Sequence, residues 1–262
     1  GCPTKRMAIE LYADTIMEIN IEHHVNMLHE VDVHEHHDNA MNEHILGINS
    51  IDNNSQKSLA ASLTQVPGVN MISNGSDIGV PMIHGLTGNR MTVINNGVLH
   101  SGQQWGTDHS PEIDLNSAGN VTVVNGAAAI RYPGNHMGGI VVLSSLDIPY
   151  DPHLHGKTRS TIESNGRGGT LNAQLFKGLK RLQWRVGTTL KHYGDRHSPE
   201  YYLKNTGTKQ AHANAELRKQ WKNKLEWEGY YNFFSANYGI LRGSHIGNLT
   251  DVRTTTSANS SP

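Results

Sequence analysis

Residues 121–143 read VTVVNGAAAIRYPGNHMGGIVVL. They close a longer stretch, Val66–Leu143, whose other pieces are VPGV at 66–69, PMIHGLTGNRMTVINNGV at 81–98 and QQWGTDHSPEID at 103–114. Short β-branched runs alternate here with glycine-bearing corners at Gly85, Gly126 and Gly138-Gly139. Asn95-Asn96-Gly97 predicts a two-residue hairpin, because both central positions of such a turn take positive φ. Spacing alone predicts a small α/β domain with tight turns, and gives no function.

Downstream, the pattern changes at His155. Leu182, Trp184, Val186, Thr188 and Leu190 share one face of an alternating run, and Gln183, Arg185, Gly187, Thr189 and Lys191 share the other. Ala211, Ala213, Ala215 and Leu217 oppose His212, Asn214, Glu216 and Arg218; Leu225, Trp227 and Tyr231 oppose Glu226, Glu228 and Asn232. Thr170 to Leu175 alternates as well. Segments of about ten residues with this period are what transmembrane strands show, apolar toward lipid and polar toward the lumen. A soluble antiparallel sheet with one wet face alternates in the same way. Connection lengths favour the barrel. Short turns near Gly178–Arg181 and Trp221–Lys224 alternate with long links at 194–208 and from about 236, as barrels do. The short turn Asn165-Gly166-Arg167-Gly168 is an exception.

Upstream, Asn54 to Val66 predicts a short helix, capped by Asn54 or Ser55 and ended by Pro67-Gly68, with Leu59 and Leu63 on one face. Met17, Ile19 and Ile21 alternate with Glu18, Asn20 and Glu22, a half-buried strand pattern. Between them lie His23, His24, His29, His34, His36, His37 and His44, with Glu35 and Asp38. Imidazole is a common ligand of zinc, copper and nickel. His34, His36 and His37 are therefore candidate metal ligands, against the alternative of a solvated linker of unusual composition. No HExxH spacing occurs, so a catalytic metal site has no support.

Composition narrows the classes further. Hydrophobic residues make up 36% of the 262 residues, and no run of about 20 apolar residues suggests a membrane helix. A β-barrel stays open, since its lipid face uses alternate residues. The single cysteine, Cys2, permits no internal disulfide. Net charge is −1 but divided: residues 1–154 hold 5 Lys/Arg and 16 Asp/Glu, and residues 155–262 hold 17 and 7. That split predicts two regions with different surroundings. The basic residues sit on strands, with no helix, zinc finger or aromatic platform, so no nucleic acid partner is expected.

The order of the pieces resembles the plug domain of TonB-dependent outer-membrane receptors, in its Bacteroidota form. Val121–Leu143 is similar to the family's IEVIRGPASALYGSGAMGGVINI at Val123, Gly126, Ala128, Tyr132, Met137, Gly138 and Gly139. The PGV, IRG, R-V-x-V and DGV elements have counterparts at Pro67-Gly68-Val69, Ile83-His84-Gly85, Arg90 with Val93, and Asn96-Gly97-Val98. His84, Asn96, Thr122 and Asn125 replace charged family residues that the resemblance implies tie plug to barrel.

The resemblance implies an α/β plug domain, a small mixed sheet with short helices, followed by antiparallel transmembrane β-barrel strands that do not close. Its domains would be the tail of a carboxypeptidase-regulatory-like β-sandwich (1–27), a TonB-box-like His-rich linker (28–50), the plug (51–150) and the start of the barrel (151–262). About five strands cannot close a family barrel of ~22, so a longer protein is implied. Import of a metal chelate across the outer membrane of a Gram-negative bacterium is the implied function, most readily of a ferric siderophore, with heme, cobalamin, zinc or copper behind. TonB would pair by strand addition with Leu28, Glu30, Val31, Asp32 and Val33. Gln103, Gln104, Trp105, Asp108 and His109 form the candidate ligand loop, against a loop that only fixes the plug. Outer-membrane lipid is the remaining partner. No cofactor and no catalytic residue are expected. The alternative is a non-transporting His-rich metal-binding or surface-adhesion protein that uses a plug-like domain.

Overall fold

A computed structural model of the chain describes residues 42–73, 75, 77–101, 110–135, 137–221 and 225–240, all within one compact unit, Asn39–Pro262. It starts with strand β1 (Glu43–Leu46), helix α1 (Ile48–Asn53) and helix α2 (Leu59–Leu63). Strands β2 (Val69–Ser73), β3 (Gly79–Ile83), β4 (Met91–Asn95), β5 (Val98–His100), β6 (Asn120–Val124) and β7 (Gly139–Ser144) complete a first domain. Its main sheet runs β1-β6-β7-β4-β5, and a β2-β3 hairpin stands apart. Only β4 and β7 pair in parallel, so the sheet is mixed.

Sequence accounts for the local turns and the core. Asn95 pairs with Val98 across a tight turn in which Asn96 and Gly97 both have positive φ, 48° and 78°. The β-branched runs supply Val121, Val123 and Val141, all wholly buried, and Leu59 and Leu63 pack with them from α2 and Ile83 from β3; Ile140 is wholly buried in a second cluster with Ile94, Val124 and Ala129. Each such side chain contributes about 1.5–3 kcal/mol on leaving water.

Two local expectations are corrected. The helix expected over 54–66 is two helices. Asn54 ends α1, and Ser58 caps α2 by accepting from the Ala61 amide. Six- and five-residue helices are too short to show a 3.6-residue period, which hides the break between them. In addition, β1 pairs antiparallel with β6, so His44, grouped in the sequence with the linker histidines, sits inside a sheet.

A second sheet follows, of strands β8 (Asp151–Glu163), β9 (Gly168–Gly178), β10 (Leu182–Tyr193), β13 (Thr208–Gln220) and β14 (Glu226–Tyr238). A small hairpin, β11 (Arg196–His197) with β12 (Tyr202–Leu203), interrupts the long link after β10. The order is β14-β13-β10-β9-β8, antiparallel throughout, and the sheet does not close. The fold class is the expected one: a mixed-sheet domain with short helices, then antiparallel strands that resemble the start of a receptor barrel.

The burial of these long strands is inverted. On β10, Thr189 is 0% and Lys191 6% exposed, while Val186 and Leu190 are 42% and 50% exposed. Glu216 and His212 on β13 are buried, and Leu217 beside them is exposed. Leu171, Leu175, Tyr231 and Phe233 are exposed too. The polar face is covered by the first domain, and the apolar face has no protein on it among the described residues. Water would not select that arrangement, but hydrocarbon would.

Candidate functional site

The seam between the mixed-sheet domain and the long-stranded sheet gathers most of the chain's buried charge. Three segments of the domain meet the sheet there, and each is held by side chains whose alternation points them inward.

The first segment is α1 with the residues after it. Asp52 is ion-paired to Lys157 and, at 2.8 Å, to Arg159, both from β8. The Lys191 ammonium donates to the backbone carbonyls of Gln56 (3.1 Å) and Lys57 (3.2 Å). These carbonyls lie between two helices and have no ladder to join. A buried cation here answers buried acceptors.

The second segment is the single turn Leu115–Ser117, capped by Asp114, whose Oδ1 accepts from the Asn116 amide at 3.1 Å. Its other oxygen accepts from Thr189 Oγ1 at 2.6 Å. Gln174 Nε2 donates to the Asn116 carbonyl at 2.6 Å, and Asn116 Nδ2 donates to the Ser55 carbonyl at 3.0 Å, tying this turn to the first segment. Asp114 thus serves the turn and the sheet together.

The third segment follows β7. Ser145 Oγ donates to Glu216 Oε1 at 3.3 Å, and Asp147 pairs with Arg218 at 3.1 Å. Glu216 also holds Arg185 Nη2 at 2.6 Å and Arg218 Nε at 2.9 Å. A cavity of about 340 Å³ lies along the seam, lined by Asp52, Asn116, Lys157, Arg159, Gln174 and Arg185 among others.

The ion pairs across the seam, Asp52 with Lys157 and Arg159 and Asp147 with Arg218, each join an acidic residue of the domain to a basic residue of the sheet. Asp77, at the end of the β2–β3 loop, is 6% exposed, and Oδ2 has no hydrogen-bond partner among the described residues. Burial pushes its carboxyl above the usual range, and Lys191 and Arg196 pull only partly against this.

The site residues singled out from sequence are not among the described residues. Gln103, Gln104, Trp105, Asp108 and His109 lie outside the described residues, as do Leu28, Glu30, Val31, Asp32, Val33, His34, His36 and His37. Among the described residues no group of three or more His, Cys, Asp or Glu is placed to hold a metal ion. Sequence reasoning missed Asp52, Asp114, Lys191 and Glu216 as a set. The signals were the charge split for the set, the polar face of alternating strands for Lys191 and Glu216, and the 103–114 stretch for Asp114.

Comparison with known proteins gives the frame for this seam. Residues 37–140 match the family model of the TonB-dependent Receptor Plug Domain. Among solved structures, the Serratia marcescens hemophore receptor HasR, as a double mutant in complex with its hemophore HasA and heme, aligns with a TM-score of 0.65. It is 16% identical, over 74% of this chain and 31% of the receptor. The copper transporter OprC aligns with a TM-score of 0.62 and 14% identity, over 75% and 31%. A ferric enterobactin receptor mutant from Pseudomonas aeruginosa, in complex with enterobactin, aligns with a TM-score of 0.56 and 15% identity, over 74% and 33%. The chain spans about a third of the length of these structures. At such identities the likeness is one of fold.

Proposed function

Residues 37–140 belong to the TonB-dependent receptor plug-domain family, and from that premise we propose that the protein containing this chain imports a metal chelate across the outer membrane of a Gram-negative bacterium. The observation that carries the reading is the inverted sheet. Its polar face is occupied by the plug and its apolar face is bare, as a barrel wall around a plug requires. The structural relatives bear names that mention copper, heme with a hemophore, and ferric enterobactin. They favour a metal-bearing cargo, and a ferric siderophore is the cargo we put first.

In this reading the seam is the part that must yield. The ties at Asp52, Asp114 and Glu216 keep the plug seated, and energy delivered from the periplasmic side loosens them. TonB, pairing with the LHEVDV segment at 28–33 by strand addition, delivers that energy. Cargo contacts belong to the loop with Gln103, Gln104, Trp105, Asp108 and His109, and His34, His36 and His37 are the candidate ligands for metal in transit.

The test is growth of a deletion strain on single iron, zinc, copper or heme sources, with radiolabelled uptake alongside. Loss of growth on one source, restored by the intact gene, identifies the cargo. Unchanged uptake of every metal source tried would remove the import reading. Val31→Pro, which takes one donor from the strand-adding segment, should abolish uptake while leaving the receptor in the membrane.

A further inference from the structure

The bonds that seat the plug on strands β8, β9 and β10 run one way. From β8, Lys157 donates to one oxygen of Asp52 and Arg159 pairs with the other. From β9, Gln174 donates to the Asn116 carbonyl. From β10, Thr189 donates to Asp114, and Lys191 donates to the Gln56 and Lys57 carbonyls. Each of these bonds is given by the sheet and accepted by the plug.

The donors form a column along the wall. Across the three strands Lys191 lies level with Thr170 and Thr161, Thr189 with Asn172 and Arg159, Gly187 with Gln174 and Lys157, and Arg185 with Phe176 and His155. Rows on one face of a sheet repeat about every 6.7 Å, so the stripe is about 20 Å long. β9 and β10 carry no acidic residue, and β8 carries acids only at its two ends, Asp151 and Glu163. Both are engaged, Asp151 with His153 and His155 and Glu163 with Arg196. The cavity of about 340 Å³ lies against this stripe, with Lys157, Arg159, Gln174 and Arg185 in its lining.

We infer that the plug's oxygens hold the places of cargo oxygens, and that the cargo is a chelate of net negative charge. When the plug yields, Lys157 and Arg159 lose Asp52, and Lys191 loses its two carbonyls. Arg185 keeps Glu216, which belongs to the sheet. Donors uncovered in a narrow gap need new acceptors. An anionic, oxygen-rich chelate supplies them row by row, and by binding the open wall better than the closed one it favours opening. A neutral chelate brings no counter-charge, and a cationic one is repelled by Lys157, Arg159 and Lys191. The inference rests on the import reading and deepens it: the wall of β8–β10 selects cargo by charge.

The test is uptake of radiolabelled iron by energised cells expressing the full-length receptor, at matched receptor levels in the outer membrane. The probes are one tris-hydroxamate chelator bearing pendant carboxylates, hydroxyls or ammonium groups, so that the ferric complexes share a core and differ in charge. Wild type should take up the carboxylate form about tenfold or more faster than the hydroxyl form, as a cleft lined by one sign of charge does for its opposite, and the ammonium form slowest. Lys157→Gln with Arg159→Gln should remove this preference. Asp52→Asn weakens the same ion pairs but leaves the cations in place, so it should keep the preference, as should the charge-keeping exchange Lys157→Arg with Arg159→Lys. A preference that survives loss of the two cations, or that Asp52→Asn removes equally, overturns the selecting wall. Equal uptake of the three forms by wild type overturns it too, while the import reading stands. Uptake of none of the three by wild type overturns the import of ferric chelates, and this inference with it.

Discussion

Glu216→Leu is expected to be the most damaging single change at the seam. The Glu216 side chain is 2% exposed and that of Arg185 7%, with Oε2 and Nη2 2.6 Å apart. Removing the carboxylate leaves the Arg185 guanidinium buried with no counter-charge. Stranding one partner of a buried pair costs about 3–5 kcal/mol. Arg218 is not stranded in the same way, because it is more exposed and keeps Asp147 and Glu228. The Ser145 bond to Glu216, lost as well, adds about 1 kcal/mol at most. A second substitution, Arg185→Met, removes the orphaned charge. Buried pairs replaced together by apolar groups are often neutral or stabilising, so the double variant should return to within about 1–2 kcal/mol of wild type. The assay is guanidinium denaturation of the full receptor in detergent micelles, read by tryptophan fluorescence and extrapolated linearly. A single variant within about 1 kcal/mol of wild type, or a double variant no more stable than the single, would refute the claim that this pair is desolvated.

Asp52→Asn should loosen the plug more gently, because the ion pairs to Lys157 and Arg159 are partly exposed and contribute about 0.5–1 kcal/mol each; faster protease nicking between α1 and α2 would show it, and an unchanged rate would count against the clamp. Gly139→Ala should hinder plug folding by at least about 1–3 kcal/mol, since φ there is +118° and a Cβ would lie 2.6 Å from Asn125 Oδ1 and 2.9 Å from the Val124 carbonyl; an unchanged denaturation midpoint would contradict this. Asp77 gives a pH signature. Its folded pKa is raised, so its contribution to stability is present below the unfolded value of 3.8 and is lost as pH rises through the folded value. Asp77→Asn should therefore be more stable than wild type at neutral pH, with the difference closing as pH falls toward 4; a gap independent of pH would sink the assignment.

The sequence showed the parts of this fold that repeat or turn tightly. Leu182 to Lys191 announced an alternating strand because every second side chain changes solvent, and Asn96-Gly97 announced its turn because few other pairs accept two positive φ angles. β1 was hidden: EHIL is four residues long, and its pairing with Val121–Val124 is fixed by a partner far along the chain. The break between α1 and α2 was hidden by their brevity. The seam was legible only as a sum. Opposite net charges in the two halves predicted different surroundings, but Asp52 finds Lys157, and Lys191 finds Gln56, only after two sheets have formed and docked. Pairings across such separations leave no local pattern to read.

One margin of the plug sheet carries a mechanical consequence. Among the described residues β1 has only β6 for a neighbour, and the registered pairs run Glu43–Val124, His44–Val123, Ile45–Thr122 and Leu46–Val121. The Arg131–Glu43 ion pair guards the first of them. A tug from the amino-terminal side reaches that pair first and peels the others in turn, each step small. Only then does tension arrive at α1, where Asp52 is moored to β8. The chain is built like a zip fastener sewn to an anchor line: graded give at the start, then a firm stop before the body of the stopper is disturbed.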